Sequence, residues 1–170
     1  NGQSGTLQVT ATRDLMPPVI TCPPLILTNT APGQCAQVVS FNVTATDNLD
    51  PNPTVTCSPP SGSAFARGTT TVYCTATDFS GNSSSCSFFV TVVDGEPPQV
   101  NCPLNIVADA DPGQCSKSNV PFTATATDNC PGVTVACNPP SGSTFHLGVT
   151  TVICTATEGS GDTTSCRFTV

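Results

Sequence analysis

Cysteine is the residue with the most chemistry to offer in this chain, at eleven among 170 residues. A thiolate metal centre or a dithiol redox site needs close pairs such as Cys-x2-Cys, so that one turn presents two ligands. The sequence has no such pair, and His146 is its sole histidine. No Ser-His-Asp or Cys-His arrangement recurs. The segments Ser61-Gly62-Ser63 and Ser141-Gly142-Ser143 lack the Gly-x-Ser-x-Gly frame of a nucleophile elbow. No enzymatic activity is expected. The cysteines read instead as disulfides, which implies an oxidising, extracellular or cell-surface compartment.

The acidic residues offer the second chemistry. Asp47-Asn48-Leu49-Asp50 and Asp128-Asn129, and likewise Asp94 and Glu96 with Asp109 and Asp111 nearby, could give Ca2+ the hard oxygen donors it prefers. Asp and Asn in such places equally cap turns through their own side chains, and that is the preferred reading. No metal or other cofactor is therefore expected. Asn42-Val43-Thr44 and Asn82-Ser83-Ser84 fit the N-glycosylation pattern. Asn82 sits on an expected hairpin tip and reads as the better acceptor.

Only four residues are basic, against eleven acidic ones, for a net charge of −7. That excludes the electrostatic footprint of a nucleic-acid or anionic-membrane binder. No apolar run approaches the ~20 residues that span a bilayer, so membrane insertion is not expected. With 9% charged residues, solubility must come from Ser, Thr and Asn or from attached sugars.

Positioning these groups falls to a repeated unit. Pro17-Pro18-Val19-Ile20-Thr21-Cys22-Pro23 recurs as Pro97-Pro98-Gln99-Val100-Asn101-Cys102-Pro103, and Pro32-Gly33-Gln34-Cys35 as Pro112-Gly113-Gln114-Cys115, both shifted by 80. Thr44-Ala45-Thr46-Asp47-Asn48 recurs 81 residues later, and Cys57 to Ser63 recurs at 80 again. One residue is thus deleted between Asp128 and Cys137. Val39, Phe41, Val43 and Ala45 alternate with polar residues, as a half-buried strand should. Thr54 to Cys57, Thr70 to Asp78 and Ser85 to Val93 read as further strands, with Phe79-Ser80-Gly81-Asn82 as a hairpin turn. Short strands between Gly and Pro turns indicate an antiparallel sandwich.

The Cys-Pro opening, Ala-Thr-Asp-Asn, Ser-Gly-Ser-x-Phe, Gly-Thr-Thr-Thr-Val-x-Cys-Thr-Ala-Thr-Asp and Cys-Ser-Phe-Phe-Val resemble the hyalin repeat (HYR), an immunoglobulin-like module. The resemblance covers nearly all of 17–93 and 97–170. It implies an all-β chain of two tandem immunoglobulin-like antiparallel β-sandwiches, extracellular, with adhesion roles and tandem arrays, and it implies no substrate. The second copy departs at Glu158-Gly159-Ser160-Gly161-Asp162, where the first has Asp78 and Asn82. That departure weakens a metal role for this turn.

Six cysteines in the second copy allow 15 pairings, so sequence alone does not settle connectivity. Given an immunoglobulin-like sandwich, Cys102–Cys166 and Cys137–Cys154 are expected, which leaves Cys115–Cys130. By repeat shift the first copy pairs Cys22–Cys86 and Cys57–Cys74. Leu49 stands where Cys35 would find its partner, so Cys35 is expected to be unpaired, as a packed thiol in preference to an intermolecular bridge.

Domain boundaries are expected at 1–14, 15–94 and 95–170. Residues Leu7 to Asp14 share the register of Ser87 to Asp94, so the first segment reads as a last strand, with Leu7, Val9 and Ala11 as its self-assembly positions. The second copy reaches Val170, the equivalent of Val90. Either the chain is an excerpt of a longer repeat array, or its first strand completes the sheet of the next subunit. Strand addition of that kind is head-to-tail and builds a filament. The expected function is a structural subunit of an extracellular fibre or surface array, with itself or neighbouring repeats as partner. The alternative is an adhesion module binding a carbohydrate or protein ligand.

Overall fold

The computed structural model of the chain describes residues 13–170. The expected self-assembly positions Leu7, Val9 and Ala11 lie outside these residues. Among the described residues there are fifteen strands and no helix, as the Thr- and Val-rich alternation requires.

In the first copy, β1 (Val19–Thr21) pairs with β4 (Thr44–Thr46), and β3 (Ala36–Val39) pairs with β6 (Ser63–Ala66). A four-stranded sheet runs in the order β2 (Ile26–Asn29), β8 (Ser83–Val93), β7 (Gly68–Thr77), β5 (Thr54–Ser58). The second copy repeats the plan. Strand β9 (Gln99–Asn101) pairs with β11 (Thr125–Thr127), and β10 (Ser116–Lys117) with β13 (Phe145–His146). Strands β12 (Thr134–Asn138), β14 (Thr151–Thr157) and β15 (Thr163–Thr169) form a three-stranded sheet.

Period-two alternation decides which side chains enter each core. Val72, Cys74 and Ala76 on β7 are fully buried, as are Val152, Cys154 and Ala156 on β14. Phe88 and Phe168 close the two cores, each meeting a second ring edge-on at 4.9 Å, Phe41 and Phe122 respectively. The outer faces are polar without being charged. Thr75 and Ser85 hydroxyls bond across strands at 3.1 Å, and Thr155 and Ser165 do so at 2.8 Å. Such Thr–Ser pairs suit the solvent face of an antiparallel ladder.

The single strand expected through Val39, Phe41, Val43 and Ala45 is split, ending as β3 at Val39 and resuming as β4 at Thr44. The cause is Ser61. Its hydroxyl donates to Phe41 O at 2.7 Å and accepts from Phe41 N–H at 2.8 Å, so this backbone is satisfied without a partner strand. Ser141 does the same for Phe122. At the hairpin, Asp78 N–H donates to Asn82 O and Gly81 takes φ 88°, a conformation that favours glycine.

The chain forms two compact units, each built from more than one stretch of the sequence. One comprises 13–26, Val39–Ser63 and Thr69–Val90, and the other Leu27–Val38, Ala64–Gly68 and Thr91–Val170. Loops of the first sequence copy therefore belong to the second unit. Gly33 N–H donates to Glu96 at 2.8 Å and Thr30 Oγ1 to Asp94 at 3.3 Å, which ties these loops in.

The second core centres on Val120, Phe145, Val152, Cys154 and Phe168. Phe168→Ala should destabilise the second unit by about 3 kcal/mol, the usual cost of emptying a buried aromatic site. Chemical denaturation of the oxidised protein measures it.

Candidate functional site

Five disulfides lie among the described residues. Cys22–Cys86 and Cys102–Cys166 each join the residue after a copy's first strand to its last strand. Cys57–Cys74 and Cys137–Cys154 join residues directly opposite one another in the ladder, with Cα atoms 4.1 and 4.0 Å apart. The fifth corrects two expectations. Cys35, expected to be unpaired, bridges Cys130, and Cys115, expected to hold Cys130, is free and exposed. Cys130 follows β11, at the end paired with Gln99, whereas Cys115 adjoins β10, whose partner is β13. The loop that reaches Cys130 is instead the one holding Cys35, since Asn129 Nδ2 donates to Gln34 O at 2.9 Å. Within the second unit, this bridge joins the first sequence copy to the second.

Beside the bridge lies a cluster of carboxylates. Asp94, Asp128 and Glu158 each place an oxygen within 4.8 Å of the other two, and Asp94 and Glu158 are buried. Their positions minus 80, 81 and 80 give Asp14, Asp47 and Asp78, which form an equivalent cluster in the first unit. Every one of these side chains but Asp78 spends one oxygen on the local backbone or a neighbour, and Asp78 spends both, Oδ1 on the Ser80 and Asn82 N–H groups and Oδ2 on Asn82 Nδ2. Asp14 accepts from Met16 N–H, Asp47 from Leu49 and Asp50 N–H, Asp128 from Cys130 N–H, and Glu158 from Ser160 Oγ. Asp94 Oδ1 accepts from Asn129 Nδ2 at 3.1 Å. The remaining oxygens are buried without a partner: Asp14 Oδ2, Asp47 Oδ1, Asp94 Oδ2, Asp128 Oδ1 and Glu158 Oε2, with Asn129 Oδ1 among them.

The electrostatics follow from that arrangement. Asp47 is held below the usual carboxylate range by the N–H groups of Asp50 and Leu49. At Asp94, burial works to raise the carboxyl, and the bonds from Asn129 and Glu96 outweigh it, so the result is lowered. Glu158 is raised: the Ser160 bond favours its charged form, but burial and the charges of Asp94 and Asp128 prevail.

Of the residues weighed as calcium donors, Asp47 lies in the first cluster and Asp94 and Asp128 in the second. Asp50 and Glu96 do not. Asp50 caps two turns by accepting from Asn52 and Phe79 N–H, and Glu96 accepts from Gly33 N–H. Sequence reasoning missed Asp14 and Asp78, and set Glu158 aside because it replaces Asp. The repeat register of Asp14 with Asp94 was the available signal. Asn82, read as the better sugar acceptor, has its amide nitrogen committed to Asp78 Oδ2 at 2.7 Å and to Asp14 O at 3.2 Å. An N-linked sugar needs that nitrogen, so Asn42, which is exposed, is the better placed of the two. His146 is exposed on β13.

Residues 13–92 and 93–170 each match the HYR domain. The chain belongs to the HYR domain family. Curated relatives of these HYR modules include hyalin of Strongylocentrotus purpuratus, 34% identical over 181 residues, and hyalin of Lytechinus variegatus, 28% over 178. A third is the sushi, von Willebrand factor type A, EGF and pentraxin domain-containing protein 1 of Rattus norvegicus, 31% over 173. The matches cover 96–100% of this chain but only 15%, 33% and 5% of those proteins, respectively. Among solved structures, protocadherin gamma B7 domains 1–4 align with a TM-score of 0.42 at 13% identity, covering 91% of this chain and 49% of that one. Human desmocollin-1 aligns at 0.35 and 12%, covering 95% and 37%. These likenesses are too loose to carry a ligand or partner across.

Two measurements check the site. Alkylation of the unreduced, denatured protein should label one cysteine, and peptide mapping should place it at Cys115; a label on Cys35 contradicts the bridge. Acid titration should show a contribution from Asp111, whose carboxylate the Lys117 ammonium, at 2.7 Å, and Ser118 hold well below the usual range. A lowered folded-state pKa stabilises above the unfolded value and is lost as pH falls. The fall in melting temperature between about pH 5 and pH 3 should accordingly be shallower in Lys117→Gln.

Proposed function

We propose that this chain is a non-catalytic structural segment of an extracellular array in which HYR modules are coupled in tandem. The observation that carries this reading is the Cys35–Cys130 bridge, which ties a loop of one repeat covalently to the next. Closing a chain loop of this length contributes on the order of 4 kcal/mol, so the coupling is strong. Five disulfides suit an extracellular compartment.

The finer reading is head-to-tail assembly by strand addition. A groove of about 390 Å³ runs beside the end of β15, lined by Ile106, Val107, Val149, Thr169 and Val170 among others. Val107 is 97% exposed and Val149 81%. At the corresponding place in the first copy, Val92 is buried and Thr30 N–H donates to Val93 O at 2.9 Å. Residues 11–14 share the register of 91–94, so the first segment of another copy supplies the same strand to this groove. Main-chain hydrogen bonds along an open edge would give the affinity.

Cys115 favours a second kind of joint. It is the positional equivalent of Cys35, and its carbonyl accepts from Leu147 N–H as that of Cys35 accepts from Arg67 N–H. A neighbouring HYR module with cysteine at the Cys130 position fits it. A second copy of this chain does not, because Leu49 stands there.

Electron microscopy of the purified oxidised chain tests the strand joint. Filaments that are lost on deleting residues 1–12 support it. Filaments that persist after the deletion, or a full chain that stays monomeric at high concentration, overturn it. A monomeric chain that captures a glycan or protein ligand supports the adhesion alternative.

A further inference from the structure

The two carboxylate clusters ask for a cation. Three carboxylates within 4.8 Å of one another repel strongly at low dielectric, and a buried charged oxygen without a partner is costly. Asp14, Asp94 and Glu158 are each at most 5% exposed, and each leaves one oxygen unpartnered inside the fold. The capping bonds described above account for only the other oxygen of each side chain. Nor does a basic side chain neutralise the charge: among the described residues the ion pair formed is Lys117–Asp111, and the Arg67 guanidinium lies against Gly159 without pairing to Glu158. The same arrangement occurs twice, at equivalent positions of two diverged copies. Capping alone does not require three distant carboxylates to converge in both.

We propose that each cluster binds one Ca2+ ion, the first through Asp14, Asp47 and Asp78 and the second through Asp94, Asp128 and Glu158. The donors are all oxygen, which suits a hard cation. Zinc is disfavoured, because the cysteine sulfurs beside Asp94, those of Cys35 and Cys130, are locked in a disulfide and offer no thiolate. Ca2+ accepts six to eight oxygens at irregular angles, whereas Mg2+ demands a near-ideal octahedron. In the second site the unpartnered Asn129 Oδ1 is a further neutral donor at hand. Glu158 in place of Asp78 preserves the carboxylate with a longer arm, so the departure between the copies does not remove the ligand.

The test uses the full oxidised chain, stripped with chelator. Calorimetric titration with CaCl2 should give two ions per chain, and the melting temperature should rise in Ca2+ relative to EDTA. Asp47→Asn and Asp128→Asn should each reduce the stoichiometry from two to one, since Asn keeps the capping acceptor but loses the charge. In EDTA the same substitutions should leave the melting temperature unchanged or raise it, because they relieve repulsion; a merely structural carboxylate would lower it in both conditions. Glu158→Gln provides a second variant of the second site should Asp128→Asn fold poorly. No stoichiometric uptake, identical melting in Ca2+ and EDTA, or two ions retained by the variants would overturn the proposal.

Discussion

A sandwich of about 80 residues buries little more than about 60% of the surface its unfolded chain exposes. Here the largest fully buried side chains are valines, prolines and cysteines, with no tryptophan in the chain. Covalent cross-links answer that shortage from inside the core. Cys74 and Cys154 occupy central positions of β7 and β14 and are themselves wholly buried, so each disulfide is both a staple and packing volume. Pairing of β5 with β7 and of β12 with β14 is locked by these two central sulfur bridges.

The fifth bridge works on a different link of the chain. It lies in a loop, and the three consecutive residues Asp128, Asn129 and Cys130 each hold something different. Cys130 takes Cys35, Asn129 bonds Gln34 O and Asp94, and Asp128 enters the carboxylate cluster. A short polar loop thereby gathers segments that lie far apart in sequence, and residues 27–38, which hold Gln34 and Cys35, belong to the second unit. The corresponding loop of the first copy retains Asp47 and its cluster but has no cysteine.

Legibility in the sequence followed the range of each interaction. Alternation along β7 and β8 and the glycine at φ 88° are local and could be read directly. The split at Phe41 could not, because a hydroxyl twenty residues away replaces the partner strand. Cysteine pairing was ambiguous for a geometric reason: Cys154 faces Cys137 on one side and Cys166 on the other, so register alone permits either. The assumption that bridges stay within a copy misplaced Cys35 and Cys115. The carboxylate clusters were hidden differently. Asp14, Asp47 and Asp78 lie more than thirty residues apart, and each has a sufficient local role as a cap.

That double role explains why acidic residues persist in a chain with so few charges. Capping needs one oxygen, which Asn or Ser can supply, and it gives no reason to bury the second. Burying it raises the cost of the charged form, as the upward displacement of Glu158 between Asp94 and Asp128 shows. The fold carries this cost twice, in a surface that otherwise relies on threonine and serine. On the proposal of a bound cation, the caps at these turns also serve to hold an oxygen of each carboxylate toward a shared centre.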